Sequence, residues 1–353
     1  MEQEKYIGFD IHRKYSEVCV EEKDGKILER RRLYHDDVLG LREYLEKYSG
    51  SEAVMEATVG WMWLADELES VGIEVHLAHS LGTALIARSR MKTDKADAKI
   101  LADLLRTNFL HESYLAPREV RELREILRFR AALVRTQTVV KNRIHAVLIR
   151  LNIQPAEKDI FGKKGTEMLR MLAIGEPYRS IVDGWLDMIS YLKVQIKSVE
   201  KIIKKQLGQD ERVKYLITLP GVGLLTAYTM IAEIGNIDRF PSEKSFASYC
   251  GLVPSTRSSA DVTHHGRIGA GRKTLQWCFV ESSRTAIRRD SYFAEIYHKH
   301  DRGKGDGKSI VIVAHQMTMI VYKMLKNKRG YVPRPKQRKH INHEVGPIAP
   351  MAN

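Results

Sequence analysis

Two short apolar-rich segments and a possible third strand follow one another within the first 34 residues, and they limit the possible folds more than any other feature of the chain. The segments are KYIGFDI, SEVCVEE and ILERRRLY, and the second and third are separated by KDGK, which contains an Asp-Gly turn signal. Short apolar runs joined by tight turns predict an antiparallel meander of three strands.

Predicted helices and strands then alternate as far as residue 107. In chain order they are helix VLGLREYLEKY, strand EAVMEAT, helix WMWLADELESV, strand EVHLAH and a helix within MKTDKADAKILADLL. Acidic residues stand on the first strand, the fourth strand and the last helix. This order of elements predicts a ribonuclease-H-like α/β domain over residues 1–110.

Four acidic residues are candidates for a metal centre. Asp10 and Glu56 lie in the first and fourth predicted strands, and Asp94 and Asp97 are three residues apart, which places them on one face of a helix. Each of them alone would be read as a surface carboxylate. Because these elements converge in the predicted fold and Mg²⁺ prefers hard oxygen ligands, the four together predict a one-metal or two-metal magnesium site.

Charge is divided unevenly along the chain, whose formal net charge is +14. Residues 1–107 hold 16 Lys and Arg against 21 Asp and Glu, whereas the rest hold 42 against 23. A basic body of this size favours a polyanionic partner, most often nucleic acid, although a merely basic soluble protein is the alternative.

Cysteine usage and hydropathy indicate a compartment. The three cysteines, Cys19, Cys250 and Cys278, have no spacing typical of a zinc site or a disulfide framework, which predicts small buried side chains in a reducing cytoplasm. The sequence has no apolar run long enough to span a bilayer. We therefore expect a cytoplasmic protein without a membrane partner.

Residues 111–210 are predicted to be basic helices followed by a coiled coil. The segment from Pro117 to Leu151 carries nine Lys and Arg, and its candidate nucleic-acid contacts are Arg128, Arg135, Lys141 and Arg143, although a solvated helix face would have the same composition. Further on, apolar residues recur at intervals of three and four, namely Val182, Trp185, Ile189, Leu192, Ile196, Val199 and Ile203. This seam fits an intramolecular helical hairpin and a dimer contact equally well.

A mostly α-helical domain is predicted over residues 211–330, followed by a disordered basic tail over 331–353. Within ITLPGVGLLTAYTMIAEIG, Gly221 and Gly223 would let a phosphate approach backbone N–H groups, as in a helix-hairpin-helix motif; a plain helix pair with a glycine turn is the alternative.

A second stretch, residues 246–277, reads as a loop rich in hydroxyl and basic side chains. Serine attack on phosphorus needs cationic groups nearby, and here Ser258 and Ser259 accompany four candidate phosphate contacts, Arg257, Arg267, Arg272 and Lys273. By composition alone, the serines would be read as loop residues in contact with solvent.

These segments, taken in order, resemble a known family. YIGFDIHRKYSEVCV, AVMEAT, KTDKADAKILADLL, LVRTQTVVKNRIHAVL, LITLPGVGLLTAYTMIAEIG and ASYCGLVPSTRSS are similar to the DEDD transposases of the insertion-sequence one-ten family, to which pilin-gene DNA invertases are related. The resemblance covers nearly the whole chain. It implies a RuvC-like N-terminal domain with the quartet Asp10, Glu56, Asp94 and Asp97, and a catalytic serine at Ser259, with Ser258 the alternative nucleophile.

The resemblance also implies an activity and partners. Members of the family cut and rejoin donor and target DNA through a phosphoserine intermediate, with Mg²⁺ held by the acids, guided by a structured noncoding bridge RNA. They assemble as homodimers that join into tetramers, and the resemblance implies a prokaryotic, nucleoid-associated protein. Two other hypotheses fit the residues: a metal-dependent RuvC-like junction endonuclease that uses activated water, and a noncatalytic RNA-binding scaffold.

Overall fold

The computed structural model describes residues 4–79, 94–259, 262–269 and 271–333. For residues 94, 95, 255–259, 262–265 and 267 it describes the backbone and not the side chain. The chain divides into two compact units, residues 1–118 and 119–353. None of the described helices is long and apolar enough to cross a membrane.

The first unit is built on a six-stranded mixed sheet. Its elements are β1 (Lys5–Ile11), β2 (Tyr15–Glu22), β3 (Ile27–Tyr34), α1 (Val38–Glu46), β4 (Glu52–Glu56), α2 (Trp61–Ser70), β5 (Glu74–Ala78), α3 (Asp94–Arg106) and β6 (Glu112–Ser113). Strands β1 to β3 form the predicted antiparallel meander, β4 and β5 run parallel to β1, and the strand order is β3-β2-β1-β4-β5-β6. The mixed α/β prediction is confirmed, whereas the two-residue β6 was not predicted.

Helices cover both faces of this sheet. Successive side chains of a strand point to opposite faces, so each face can form its own core. One face buries Ile7 and Phe9 against Leu41 of α1 and Leu64 of α2. The other face packs on α3 through a second cluster, composed of Tyr6, Val54, Ala78, Leu101 and Leu105. Alternate residues of β1 therefore belong to two different cores.

The second unit begins with a long helical hairpin. It consists of α4 (Arg118–Arg150), α5 (Lys163–Met171) and α6 (Tyr178–Leu207). The predicted seam of α6 packs within the chain, because Val182 and Ile189 share a cluster with Val140 and Ile144 of α4. Of the two alternatives for this seam, the structure forms the intramolecular hairpin; a dimer contact stays a prediction.

The remaining elements pack around one large core. They are α7 (Glu211–Leu216), α8 (Leu224–Ile234), a 3₁₀ turn (Ile237–Arg239), α9 (Glu243–Tyr249), β7 (Pro254–Ser259), β8 (Val262–Ile268), α10 (Lys273–Arg289), α11 (Ser291–Lys304) and α12 (Asp306–Lys326). Leu123 of α4 and Ile203 of α6 enter this core as well, so the predicted middle and C-terminal regions share it. Tyr331 also packs against this core, and residues 334–353 of the predicted tail lie outside the described residues.

One prediction for this region was wrong. Residues 254–259 and 262–268, read from the sequence as part of a loop, form the antiparallel strands β7 and β8, with Ser258 paired to Thr263 and Ser259 to Val262. The stretch contains few apolar residues, so the alternation that reveals a half-buried strand is lacking. The three cysteines are buried, as predicted.

Candidate functional site

Two of the predicted metal-binding acids stand side by side at one edge of the N-terminal sheet. Phe9 of β1 pairs with Met55 of the parallel strand β4, so Asp10 and Glu56 follow at the same level of the two strands. Phe9 and Met55 are fully buried on the face covered by α1 and α2. Since successive side chains of a strand alternate, Asp10 and Glu56 belong to the opposite face.

Helix α3 lies on that opposite face and contacts β1 at Gly8. A methyl group added at Gly8 would lie 1.9 Å from the carbonyl oxygen of Ala98 and 2.7 Å from the backbone nitrogen of Ala102. Later in α3, Leu105 packs with Tyr6. The helix therefore runs antiparallel to β1, and Asp97, which precedes Ala98, lies toward the strand end that bears Asp10. Glycine at position 8 is what allows this close approach.

The donor set is suited to a hard cation, although the structure describes only part of it. Asp10, Glu56 and Asp97 supply carboxylate oxygens, the ligand type that Mg²⁺ prefers. Asp94 is the first residue of α3, and its side chain is outside the description. Among the described side chains, no three acidic, histidine or cysteine residues are grouped closely enough to hold a metal ion. The magnesium site stays a prediction.

A residue not foreseen from the sequence accompanies the acids. His12 Nε2 lies 3.2 Å from Asp10 Oδ2, and the Asp10 side chain is 24% exposed. The sheet edge formed by Asp10 and Glu56, here called the acid edge, therefore includes a partly exposed carboxylate with a histidine nitrogen beside it.

A buried carboxylate fixes α3 on the sheet. Glu21 of β2 is fully buried and lies 3.6 Å from Lys99 Nζ and 3.4 Å from Arg106 Nε, and both cations also pair with Asp103. Burial, followed by the nearby Asp103 charge, raises the pKa of Glu21. An unpaired charge at this position would be costly, so the two cations of α3 are tied to β2. The pattern Lys99-Asp103-Arg106 on one helix face was the only local signal for this cluster.

A second buried charge, in the C-terminal unit, collects three arginines. Glu233 of α8 is 2% exposed. Its carboxylate lies 3.0 Å from Arg272 Nε, 3.5 Å from an Arg128 terminal nitrogen and 3.9 Å from Arg124 Nε. Arg124 also donates to the carbonyls of Ala232 and Glu233. Arg128 and Arg272, predicted separately as phosphate contacts, are thus brought together.

Sequence reasoning missed Glu233 and Arg124. The available signal was one acid inside the otherwise apolar run LLTAYTMIAEI, because a buried carboxylate requires cationic partners. Its partners come from α4 and from the start of α10, far apart in the chain, so they could not be identified from local spacing.

The remaining predicted nucleic-acid contacts are dispersed. Along α4, Arg135 is exposed, Lys141 lies 5.3 Å from the Phe161 ring centroid and Arg143 lies 5.2 Å from that of Trp185. Lys273 begins α10 and bonds to Gln276. Arg257, Arg267, Ser258 and Ser259 lie on β7 and β8, where only the backbone is described.

The two glycines of the predicted helix-hairpin-helix motif, Gly221 and Gly223, have different surroundings. Gly221 adopts φ +88°, and a methyl group there would lie 2.1 Å from the carbonyl oxygen of Ser282, so close packing on α10 explains this glycine. No described atom lies within 4 Å of the corresponding position at Gly223, which caps α8. Open space for a phosphate therefore exists at Gly223, and a helix-hairpin-helix function stays a prediction.

Comparison with known proteins connects both units to one family. The model of the DEDD transposase domain of IS110 matches residues 7–153, which include Asp10, Glu56, Asp94 and Asp97. The model described as transposase IS116/IS110/IS902 family matches residues 213–298, which include Glu233 and both serines. The chain belongs to the IS110/IS116/IS902 family of transposases.

Relatives of this family extend over most of the chain. The transposase for insertion sequence element IS1328 of Yersinia enterocolitica is 25% identical over 296 residues, 81% of this chain and 85% of that one. The transposase for IS1111A of Coxiella burnetii is 22% identical over 89% of this chain and 83% of its own. A pilin gene-inverting protein of Moraxella bovis is 27% identical over 42% of this chain and 46% of that one; a closer link to invertases stays a prediction.

Membership in this family gives the protein a class of reaction. Transposases cut and rejoin DNA, and the DEDD domain is consistent with the RuvC-like arrangement of the N-terminal sheet. The acid edge of the first unit and the arginines around Glu233 in the second unit are the candidate sites for that chemistry.

Proposed function

We propose that this transposase moves an insertion sequence by a serine-based strand exchange, with Asp10, Glu56, Asp94 and Asp97 as metal ligands and Ser259 as nucleophile. One observation carries the metal part of the proposal: Asp10 and Glu56 stand on adjacent strands at one level, on the face over which α3 begins. Asp97 of α3 lies toward the same strand end, which supports a shared metal site for the three carboxylates.

The acids would hold Mg²⁺, which when bound neutralises negative charge on a phosphodiester. The chain's own groups orient this site. Gly8 sets the distance between α3 and β1, and Glu21 fixes the position of α3 through Lys99 and Arg106. His12 supports the orientation of Asp10.

Strand exchange would begin with attack of the Ser259 hydroxyl oxygen on a DNA phosphorus. A Ser–O–P bond forms, one bridging P–O bond breaks, and the departing DNA oxygen receives a proton as the serine loses its own. The DNA hydroxyl then reverses the reaction on a new phosphoserine, which rejoins the strand without an external energy source. Arg128 and Arg272, gathered by Glu233, are suited to bind the flanking phosphates.

Guidance by a bridge RNA and assembly of dimers into tetramers complete the proposal. The basic helix α4, with exposed Arg135, supports a backbone contact to a polyanion. In this division of labour, base pairing reads sequence while the protein binds backbones.

The test is to express the protein from DNA carrying its natural flanking sequence, so that any guide RNA is made, and to trap covalent protein–DNA adducts under denaturing conditions. Ser259→Ala should abolish the adduct, and Asp97→Asn should abolish recombination. Ser258→Ala, at the neighbouring register position, is the matched control and should keep both. Recombinant DNA from Ser259→Ala without an adduct would instead support cleavage by activated water.

A further inference from the structure

The face of the N-terminal sheet that carries Asp10 extends sideways beyond α3. Asp10 pairs with Glu17 of β2, and Glu17 pairs with Arg32 of β3, so the three residues form one row across three strands. Residues directly opposite each other in antiparallel strands point to the same face. Arg32 therefore lies on the acid face, two strand spacings or about 10 Å from Asp10.

Arg32 is held in a fixed plane on this face. Its Nε donates to Glu17 Oε1 at 2.7 Å and a terminal nitrogen lies 2.6 Å from the same oxygen. Its guanidinium carbon lies 4.0 Å from the centroid of the Tyr15 ring. Glu17 is 4% exposed, whereas the Arg32 side chain is 42% exposed. A buried carboxylate thus anchors the cation while part of the guanidinium remains open to solvent.

Aromatic and basic side chains border Arg32. Tyr34 pairs with Tyr15, their ring centroids are 6.4 Å apart, and Tyr34 is 55% exposed. His12 lies 4.7 Å from Tyr15 by ring centroids and contacts Asp10, so the aromatic group is continuous with the acid edge. The turn between β1 and β2 adds the exposed cations Arg13 and Lys14.

We propose that Arg32, stacked on Tyr15 and flanked by Tyr34, is a stacking platform for an unpaired base of the strand that enters the acid site. Guanidinium planes and aromatic rings stack on bases of any sequence, and neighbouring cations bind the phosphates. This inference rests on the proposed function, because it assumes that nucleic acid reaches Asp10.

Arg31 provides a matched control. It lies next to Arg32 on β3, is 53% exposed and stacks on a tyrosine ring, that of Tyr44, at 5.3 Å. It pairs with Val18, however, and so points to the face opposite the acids. Lysine at either position keeps the charge and removes the planar group.

The experiment uses the full chain and short oligonucleotides that carry one iodouracil, a base that crosslinks to aromatic side chains stacked on it. Single-stranded DNA, single-stranded RNA of the same sequence and duplex DNA are compared, and crosslinked peptides are located by mass spectrometry. We expect a crosslink in the peptide containing Tyr15 or Tyr34 with a single strand only. The kind of strand that gives it, DNA or RNA, identifies the source of the base.

Arg32→Lys and Tyr34→Leu should each lower this crosslink and the affinity for the single strand by about tenfold. Arg31→Lys should leave both unchanged. Wild-type crosslinking in Arg32→Lys and Tyr34→Leu, or an equal loss for duplex and single strand, would overturn the platform. The assay needs no strand cutting: if Asp97→Asn still recombines DNA, the proposed function fails, whereas the crosslink still tests the platform.

Discussion

Replacing Gly8 by alanine should separate α3 from the sheet and impair the acid site. The new methyl group would lie 1.9 Å from the Ala98 carbonyl oxygen, and real contacts of this kind are essentially never shorter than 3.0 Å, so the helix must move by more than 1 Å. Overpacking of this kind costs about 1–3 kcal/mol of unfolding free energy. A displacement of about 1 Å at reacting groups lowers a rate on the order of 100-fold.

Urea denaturation and a recombination assay on the same preparation measure the two effects. Because Gly8 meets backbone atoms, Ala98→Gly should not rescue Gly8→Ala. Gly184→Ala is the control, since that glycine lies within α6 with no described atom within 4 Å of the added methyl position; it should stabilise the protein by roughly 0.5–1 kcal/mol. Wild-type stability and recombination in Gly8→Ala would refute the packing argument.

Three further predictions concern buried groups. Glu233→Gln leaves Arg124 buried beside a neutral partner and should lower the unfolding free energy by about 3 kcal/mol. The control Glu211→Gln, at an exposed residue, should change it by less than about 0.5 kcal/mol. Equal urea midpoints for the two variants would contradict this prediction. Burial lowers the pKa of His315 below its ordinary value of 6.5, so the unfolded chain takes up the proton first and the unfolding free energy should fall as pH drops below that value. In urea titrations at successive pH values, His315→Gln should show a smaller fall of the unfolding free energy. Burial raises the pKa of Cys278 to about 12, so an alkylating reagent near neutral pH should modify it only after denaturation, and labelling of native protein would argue against its burial.

Local pattern was sufficient to predict most elements of the first unit and the long helix α4 of the second. The three opening strands, the alternating helices and strands and the long helix α4 follow from apolar periodicity, which is a property of neighbouring residues. The hairpin β7-β8 was missed for the same reason, since its strands carry hydroxyl and histidine residues in place of an apolar alternation.

The candidate site was only partly predictable. Asp10 and Glu56 could be named because each lies in a recognisable strand, and the family resemblance supplied their expected role. Their common face depends on register: Phe9 pairs with Met55, and a slip by one residue would turn one acid into the core.

Most elements of the first unit, the positions of the acids and the excess of positive charge beyond residue 107 can be inferred from the sequence alone. Which charged residues contact each other depends on the tertiary fold. Glu233 collects Arg128 and Arg272 from distant helices, and strand pairing brings Glu17 to Arg32 on the face of Asp10. Periodicity reports how a segment divides between core and solvent, whereas partners across a sheet or between helices are selected by packing and register over the whole chain.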